Sequence, residues 1–125
     1  MKLLLDTHVL LWWLDNDARL SRSARRTIAD DAVPVAVSAV TAWEISIKAA
    51  LGKLAPPERW PEEIVAEGFE PLSITFDHAR EAGGLPRHHG DPFDRMLVAQ
   101  ARLEDLVIVT ADPRIARYDV RTLAA

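Results

Sequence analysis

The sequence predicts an α/β protein, a three-layer α/β/α sandwich around a mainly parallel central sheet. Two observations carry that prediction. Short aliphatic runs recur at 2–6 (KLLLD), 33–37 (VPVAV) and 106–110 (LVIVT), and a run without polar alternation suits a strand buried on both faces. Segments with helical spacing of apolar residues separate these runs, and strands alternating with helices build βα units and a parallel sheet.

Taken in order, the first run ends at Asp6 and a helix is predicted over 7–14, with a second over 22–31. The VPVAV strand leads directly into a helix over 39–51, for which Ser38 is an N-cap candidate. The stretch APPERWP at 55–61 reads as a loop entering a helix over 61–68, and a short strand is expected near 69–74. Helices over 76–84 and 92–104 precede the LVIVT strand, and a last short strand is placed near 119–123. In such sheets, ligand sites form beyond the carboxyl ends of the strands.

Composition narrows the class further. At 125 residues with 49% hydrophobic content, a single domain with a real core is expected, and disorder as the main state is excluded. The absence of cysteine removes a disulfide framework, a thiolate zinc site and a cysteine nucleophile together, and suits a reducing, cytoplasmic compartment. Asp6 and His8 interrupt the apolar N-terminus, so no signal peptide is expected, and no run approaches the ~18 apolar residues of a membrane helix. The formal charge of −4 also weighs against the broad basic surface typical of non-specific nucleic-acid binding.

The placement of the acids is informative. Asp6 ends the first strand and Asp112 follows the VIVT strand, so in a parallel sheet both project from one edge. Glu44 falls in the same helical arc as Val40, Trp43, Ile47 and Leu51, and a carboxylate on an apolar stripe is rare unless paired or bound to a metal. Taken alone it reads equally as an acid paired with an arginine or reaching to water. Asp94 lines up with Leu97, Val98 and Ala101 in the first turn of its helix, where a carboxylate also complements the helix dipole. Asp91 and Asp112, each followed by proline, carry the mark of an N-cap, and for Asp91 alone the cap is the favoured reading. Four acids from four segments thus converge. Two unit charges at about 4 Å repel by about 4 kcal/mol at an effective dielectric near 20, so either some are protonated or a cation neutralises them. All-oxygen ligation favours Mg²⁺ or Mn²⁺ over zinc, and phosphodiester hydrolysis is the natural reaction of such a site.

The segments LLLDTHVLLWWL, VSAVTAWEISIK, HHGDPFDRMLVAQA and LVIVTADPRI together resemble the four acidic motifs of PIN-domain ribonucleases, specifically VapC-type toxins of toxin-antitoxin pairs. The resemblance runs from residue 3 to about 115. It implies a PIN-like fold, Mg²⁺-dependent endoribonuclease activity with Mn²⁺ as substitute, and inhibition of translation by RNA cleavage. It also implies a homodimer and a cognate VapB-type antitoxin. By the same resemblance Asp6, Glu44, Asp94 and Asp112 form the metal-binding quartet, with Glu44 either a ligand or the residue that orients water. Asp91, Thr7, Ser38 and Thr110 fall around it, Ser38 reading equally as only a helix cap.

Other features carry two readings each. Arg87 and Arg95 read as RNA contacts, Arg95 alternatively as the partner of a neighbouring acid, while His88 and His89 read as a polar loop. Trp43 is expected in the core, and one of the adjacent Trp12 and Trp13 is expected at the surface, where a partner would cover it. Lys48 and Lys53 read as a solvated face. A phosphatase or phosphotransfer domain is the alternative enzyme, and a non-catalytic RNA- or antitoxin-binding module the alternative without chemistry. The 19 acids exceed the 15 basic residues by the size of the proposed quartet, so RNA binding is expected to depend on the metal and on local arginines.

Overall fold

A computed structural model describes residues 1–125. Its strands are β1 (Leu3–Leu5), β2 (Val35–Ser38), β3 (Glu70–Leu72), β4 (Val107–Thr110) and β5 (Thr122–Ala124). They form one sheet in the order β3-β2-β1-β4-β5, and every neighbouring pair is parallel. The helices are α1 (Thr7–Leu14), α2 (Arg22–Ala29), α3 (Ala39–Ala50), α4 (Trp60–Ala66), α5 (Phe76–Gly84) and α6 (Pro92–Glu104), with a 3-10 turn at Ile115–Arg117.

The three layers follow from strand periodicity, because successive side chains point to opposite faces. Leu3, Leu5, Val35, Val37, Val107 and Val109 enter one core with Val9 and Leu10 of α1 and Ala24 and Ile28 of α2. Leu4, Ala36 and Ile108 enter the other, against Leu97, Val98 and Ala101 of α6. Both faces of the three central strands are therefore covered, which is why their sequences are aliphatic without alternation.

Several boundaries differ from the sequence reading, each for a local reason. β2 starts after Pro34, which has no N–H to give to a ladder. α2 stops at Ala29 because the Asp30 carboxylate accepts the Ala32 N–H at 2.9 Å, a turn that competes with further helix. α1, by contrast, keeps its predicted bounds of 7–14, and Asn16 just beyond it sits in the left-handed region at φ 52°, where asparagine is one of the tolerated residues.

The apolar stripe on α3 is also corrected. Its buried residues are Val40, Thr41, Glu44 and Ile45, whereas Trp43 is 60% and Leu51 63% exposed. α3 gives Val40 to one core and Ile45 to the other, so its buried arc is shifted from the stripe drawn through Trp43. Trp12 and Trp13 both pack partly against the first core. Arg19 lies 5.3 Å from the Trp12 ring and Arg25 5.9 Å from that of Trp13, so the chain's own cations cover both rings.

The strand order places the site. From β1 the chain moves outward to β2, and from β4 it moves outward the other way to β5. The crevice between the carboxyl ends of β1 and β4 is thus the switch point of the sheet. Leu4 lies on the central strand with no exposed surface. Leu4→Ala is expected to cost about 2–5 kcal/mol, read as a lower urea midpoint at unchanged slope. A loss below about 1 kcal/mol would place Leu4 outside the packed core.

Candidate metal centre

Asp6 leaves β1 at that crevice. Its N–H still bonds Val109 O at 3.2 Å, and its carboxylate caps α1 by accepting the Val9 N–H at 2.9 Å. It is buried. From β4 alongside, the Thr110 Oγ1 accepts the Asp112 N–H at 3.0 Å, and its side chain acts to lower the Asp6 carboxyl pKa.

Glu44 approaches from α3 and is only 3% exposed. One oxygen accepts the Thr7 hydroxyl at 2.6 Å and the other the Lys48 ammonium at 2.5 Å. Lys48 also stands 5.8 Å from the Phe93 ring. The solvated-face reading of Lys48 is therefore corrected. The signal was present in the sequence, since a lysine four residues after a glutamate on a helix is the favourable ion-pair order.

Asp94 sits in the first turn of α6 behind its cap. Asp91 accepts the N–H groups of Phe93 at 2.8 Å and Asp94 at 3.2 Å. Ser38 likewise caps α3 through the Val40 N–H at 3.0 Å. Asp112 accepts from Arg114 through its backbone N–H at 2.9 Å and its guanidinium at 3.2 Å.

His89 was read as part of a polar loop, and the structure corrects this. It is 5% exposed, with Nε2 at 2.9 Å from Asp94 and 3.1 Å from Asp112. Ligand atoms of His89, Asp94 and Asp112 lie within 4.8 Å of one another. His88 instead stacks edge-on against Tyr118 at 4.9 Å. Arg95, expected at RNA, is turned inward: its guanidinium donates to the carbonyls of Ala82 at 2.9 Å, Leu85 at 3.1 Å and Pro86 at 3.0 Å. Ala82 lies in the last turn of α5 and Leu85 and Pro86 just beyond it, where carbonyls run out of helical partners and an arginine satisfies them. Arg87 remains exposed.

A family model of the PIN domain matches residues 3–121. The chain belongs to the PIN-domain family. A relative from Mycobacterium tuberculosis, Ribonuclease VapC22, is 33% identical over 119 residues, spanning 92% of this chain and 90% of its own. Among solved structures, VapBC2 from Rickettsia felis bound to a promoter DNA fragment superposes with a TM-score of 0.70 at 16% identity, covering 98% of both chains. DNA-bound VapBC from Salmonella typhimurium gives 0.70 at 23% identity, covering 98% and 97%. These two likenesses establish the fold.

The electrostatics of this PIN domain are uneven across the acids. Burial, then the charges of Asp91, Asp6, Glu44 and Asp112, push Asp94 up to about 7. Burial also raises Asp6, partly offset by hydrogen bonds from Thr110 and Val9. Burial acts the same way on Asp112, but Arg114 outweighs it and holds that carboxyl below its ordinary value. Glu44 raises Lys48 by accepting a hydrogen bond from its ammonium, with Asp91 and Asp94 adding to the effect. Lys48 and Arg114 thus serve Glu44 and Asp112, while no lysine or arginine pairs with Asp6 or Asp94. Carboxylate oxygens without a cationic side-chain partner, as at Asp6 and Asp94, fit a hard divalent cation.

Because Asp94 has a higher pKa folded than unfolded, the folded state holds more protons between about pH 4 and 7, and stability falls as pH rises through that window. Asp94→Asn is expected to stabilise the metal-free protein, with no gain near pH 3 and a gain of up to about 4 kcal/mol near pH 8. Urea denaturation in EDTA across that range reads the effect, and a pH-independent difference would contradict it.

Proposed function

We propose that this PIN domain is a Mg²⁺-dependent endoribonuclease, with Mn²⁺ as substitute, acting as the toxin of a toxin-antitoxin pair and stopping translation by cutting RNA in the cytoplasm. The observation that carries the proposal is the pair of carboxylates, Asp6 and Asp94, held at the sheet's switch point without a lysine or arginine partner. The name of the 33% identical relative supports the ribonuclease reading. The complexes named for the two superposed structures support a VapB-type antitoxin as partner, and the homodimer remains part of the proposal through the family.

In this reading Asp6, Asp94 and Asp112 hold the cation. The bound cation supplies Lewis-acid activation of water and stabilises charge on the phosphoryl oxygens. Glu44 is fixed by Thr7 on one oxygen and Lys48 on the other, and it orients the attacking water from that fixed position. Thr110 keeps Asp6 and Asp112 in register across β1 and β4. Asp91 acts as the α6 cap and as a nearby charge, and Ser38 as the α3 cap. Arg87, exposed on the loop before α6, contacts RNA phosphate.

No observation favours phosphotransfer: β2 ends in Ser38, which is occupied as a cap, and His8 lies exposed where a second aspartate would be needed. No helix is long and apolar enough to cross a membrane.

Protein freed of inhibitor is expected to cleave single-stranded RNA with Mg²⁺ or Mn²⁺ and to stop with EDTA. Asp94→Asn is expected to lower the rate at least about 100-fold, the scale of several kcal/mol of lost charge stabilisation, and to abolish growth arrest on expression. Cleavage that persists in EDTA, or an inert wild type across a broad RNA panel, would overturn the proposal.

A further inference from the structure

We infer that His89 is a positioning residue of the acidic centre, whose Nε2–H is shared between Asp94 and Asp112, and that it is not itself a metal ligand. The inference deepens the function proposed above, since the carboxylates it spaces are those of that reading.

The two ring nitrogens face different chemistry. Nε2 lies 2.9 Å from an oxygen of Asp94 and 3.1 Å from an oxygen of Asp112. Nδ1 lies 3.2 Å from the backbone nitrogen of Asp91, which has a hydrogen to donate. A ring nitrogen that accepts keeps its lone pair free of a proton, so the ring N–H resides on Nε2. That proton points at oxygens of both carboxylates, and Asp112, paired with Arg114, accepts it whether or not Asp94 carries a proton. Ligation through Nε2 requires the opposite tautomer. It would place a proton on Nδ1, directly against the Asp91 N–H, and leave the Nε2 lone pair facing two carboxylates.

The surroundings hold the ring in that orientation. Its side chain is 3% exposed. The His89 N–H donates to Tyr118 Oη at 3.0 Å, and the Tyr118 hydroxyl donates to Pro86 O at 2.8 Å. Arg95 gathers the carbonyls of Ala82, Leu85 and Pro86 from the other side. The loop that carries His89 is thus pinned to α6 by Arg95 and to the segment after the 3-10 turn by Tyr118. Asp94 rides on α6 and Asp112 follows β4, so a single buried N–H sets the spacing between acids from two separate elements. Outer hydrogen-bonding partners of this kind commonly set metal affinity by 10–100-fold.

The test begins with metal-free protein carrying ¹⁵N-labelled histidine. The long-range ¹H–¹⁵N spectrum is expected to show His89 as the Nε2–H tautomer, and an Nδ1–H tautomer or an imidazolium would overturn the inference. Mn²⁺ binding is then followed by electron paramagnetic resonance. His89→Ala is expected to weaken Mn²⁺ about 10–100-fold with its circular dichroism spectrum retained. His89→Gln, whose amide nitrogen reaches the position of Nε2, is expected to bind within about threefold of wild type, and it carries the test if the alanine variant does not fold. Undiminished Mn²⁺ affinity in His89→Ala, or nitrogen coupling to Mn²⁺ that disappears in that variant, would overturn the clamp. RNA cleavage by wild type separates the two ideas: protein that shows the predicted tautomer and affinities but leaves RNA intact contradicts the ribonuclease reading alone.

Discussion

Mutual repulsion among carboxylates at the carboxyl edge of a parallel sheet is the constraint on which this structure turns. The strand order reverses between β1 and β4, so the residues leaving those strands, Asp6 and Asp112, meet in one crevice. Helix α6 then adds Asp94 and α3 adds Glu44. Burial strengthens the repulsion, since charges in a low-dielectric setting interact more strongly than in water. Its clearest trace is Asp94, raised to about 7 by burial and by four neighbouring acids.

Much of the surrounding polar structure manages that repulsion. Lys48 and Thr7 bind Glu44, Arg114 binds Asp112, and Thr110 accepts the Asp112 N–H. Two of these partners are full charges, and they serve Glu44 and Asp112. Asp6 and Asp94 receive only hydrogen bonds. A buried acid left in that state lowers the stability of the metal-free protein, and proteins tolerate such a cost mainly at functional sites. Trp43, exposed and edge-on to Phe93 at 5.4 Å, belongs to the rim of this centre rather than to the core.

The fold was legible because its three central strands are buried on both faces and say so in aliphatic runs, and because helix starts follow each one. Asp6 and Asp112 were legible from topology alone. Glu44 was found by helical periodicity even though the stripe drawn through it was displaced: Trp43 and Leu51 face outward, and Thr41 and Ile45 face inward. The same method fails where a partner is far off in sequence. His89 is buried by Tyr118, which lies 29 residues further along, and Arg95 is turned by carbonyls at the end of α5 and in the loop after it, whose path no local pattern reveals. Charge type and spacing gave Arg95 the look of a phosphate contact. The geometry makes it the mount of the loop that carries His89.

Calorimetric titration of the metal-free protein with Mn²⁺ near pH 6.5, repeated in buffers of different ionisation enthalpy, tests the central claim most directly. Metal binding releases protons from ligands that must be deprotonated. Because Asp94 is held at about 7, saturable binding is predicted, with proton release that makes the observed heat depend on the buffer. Absence of binding, or saturable binding whose heat is the same in every buffer, would contradict the account.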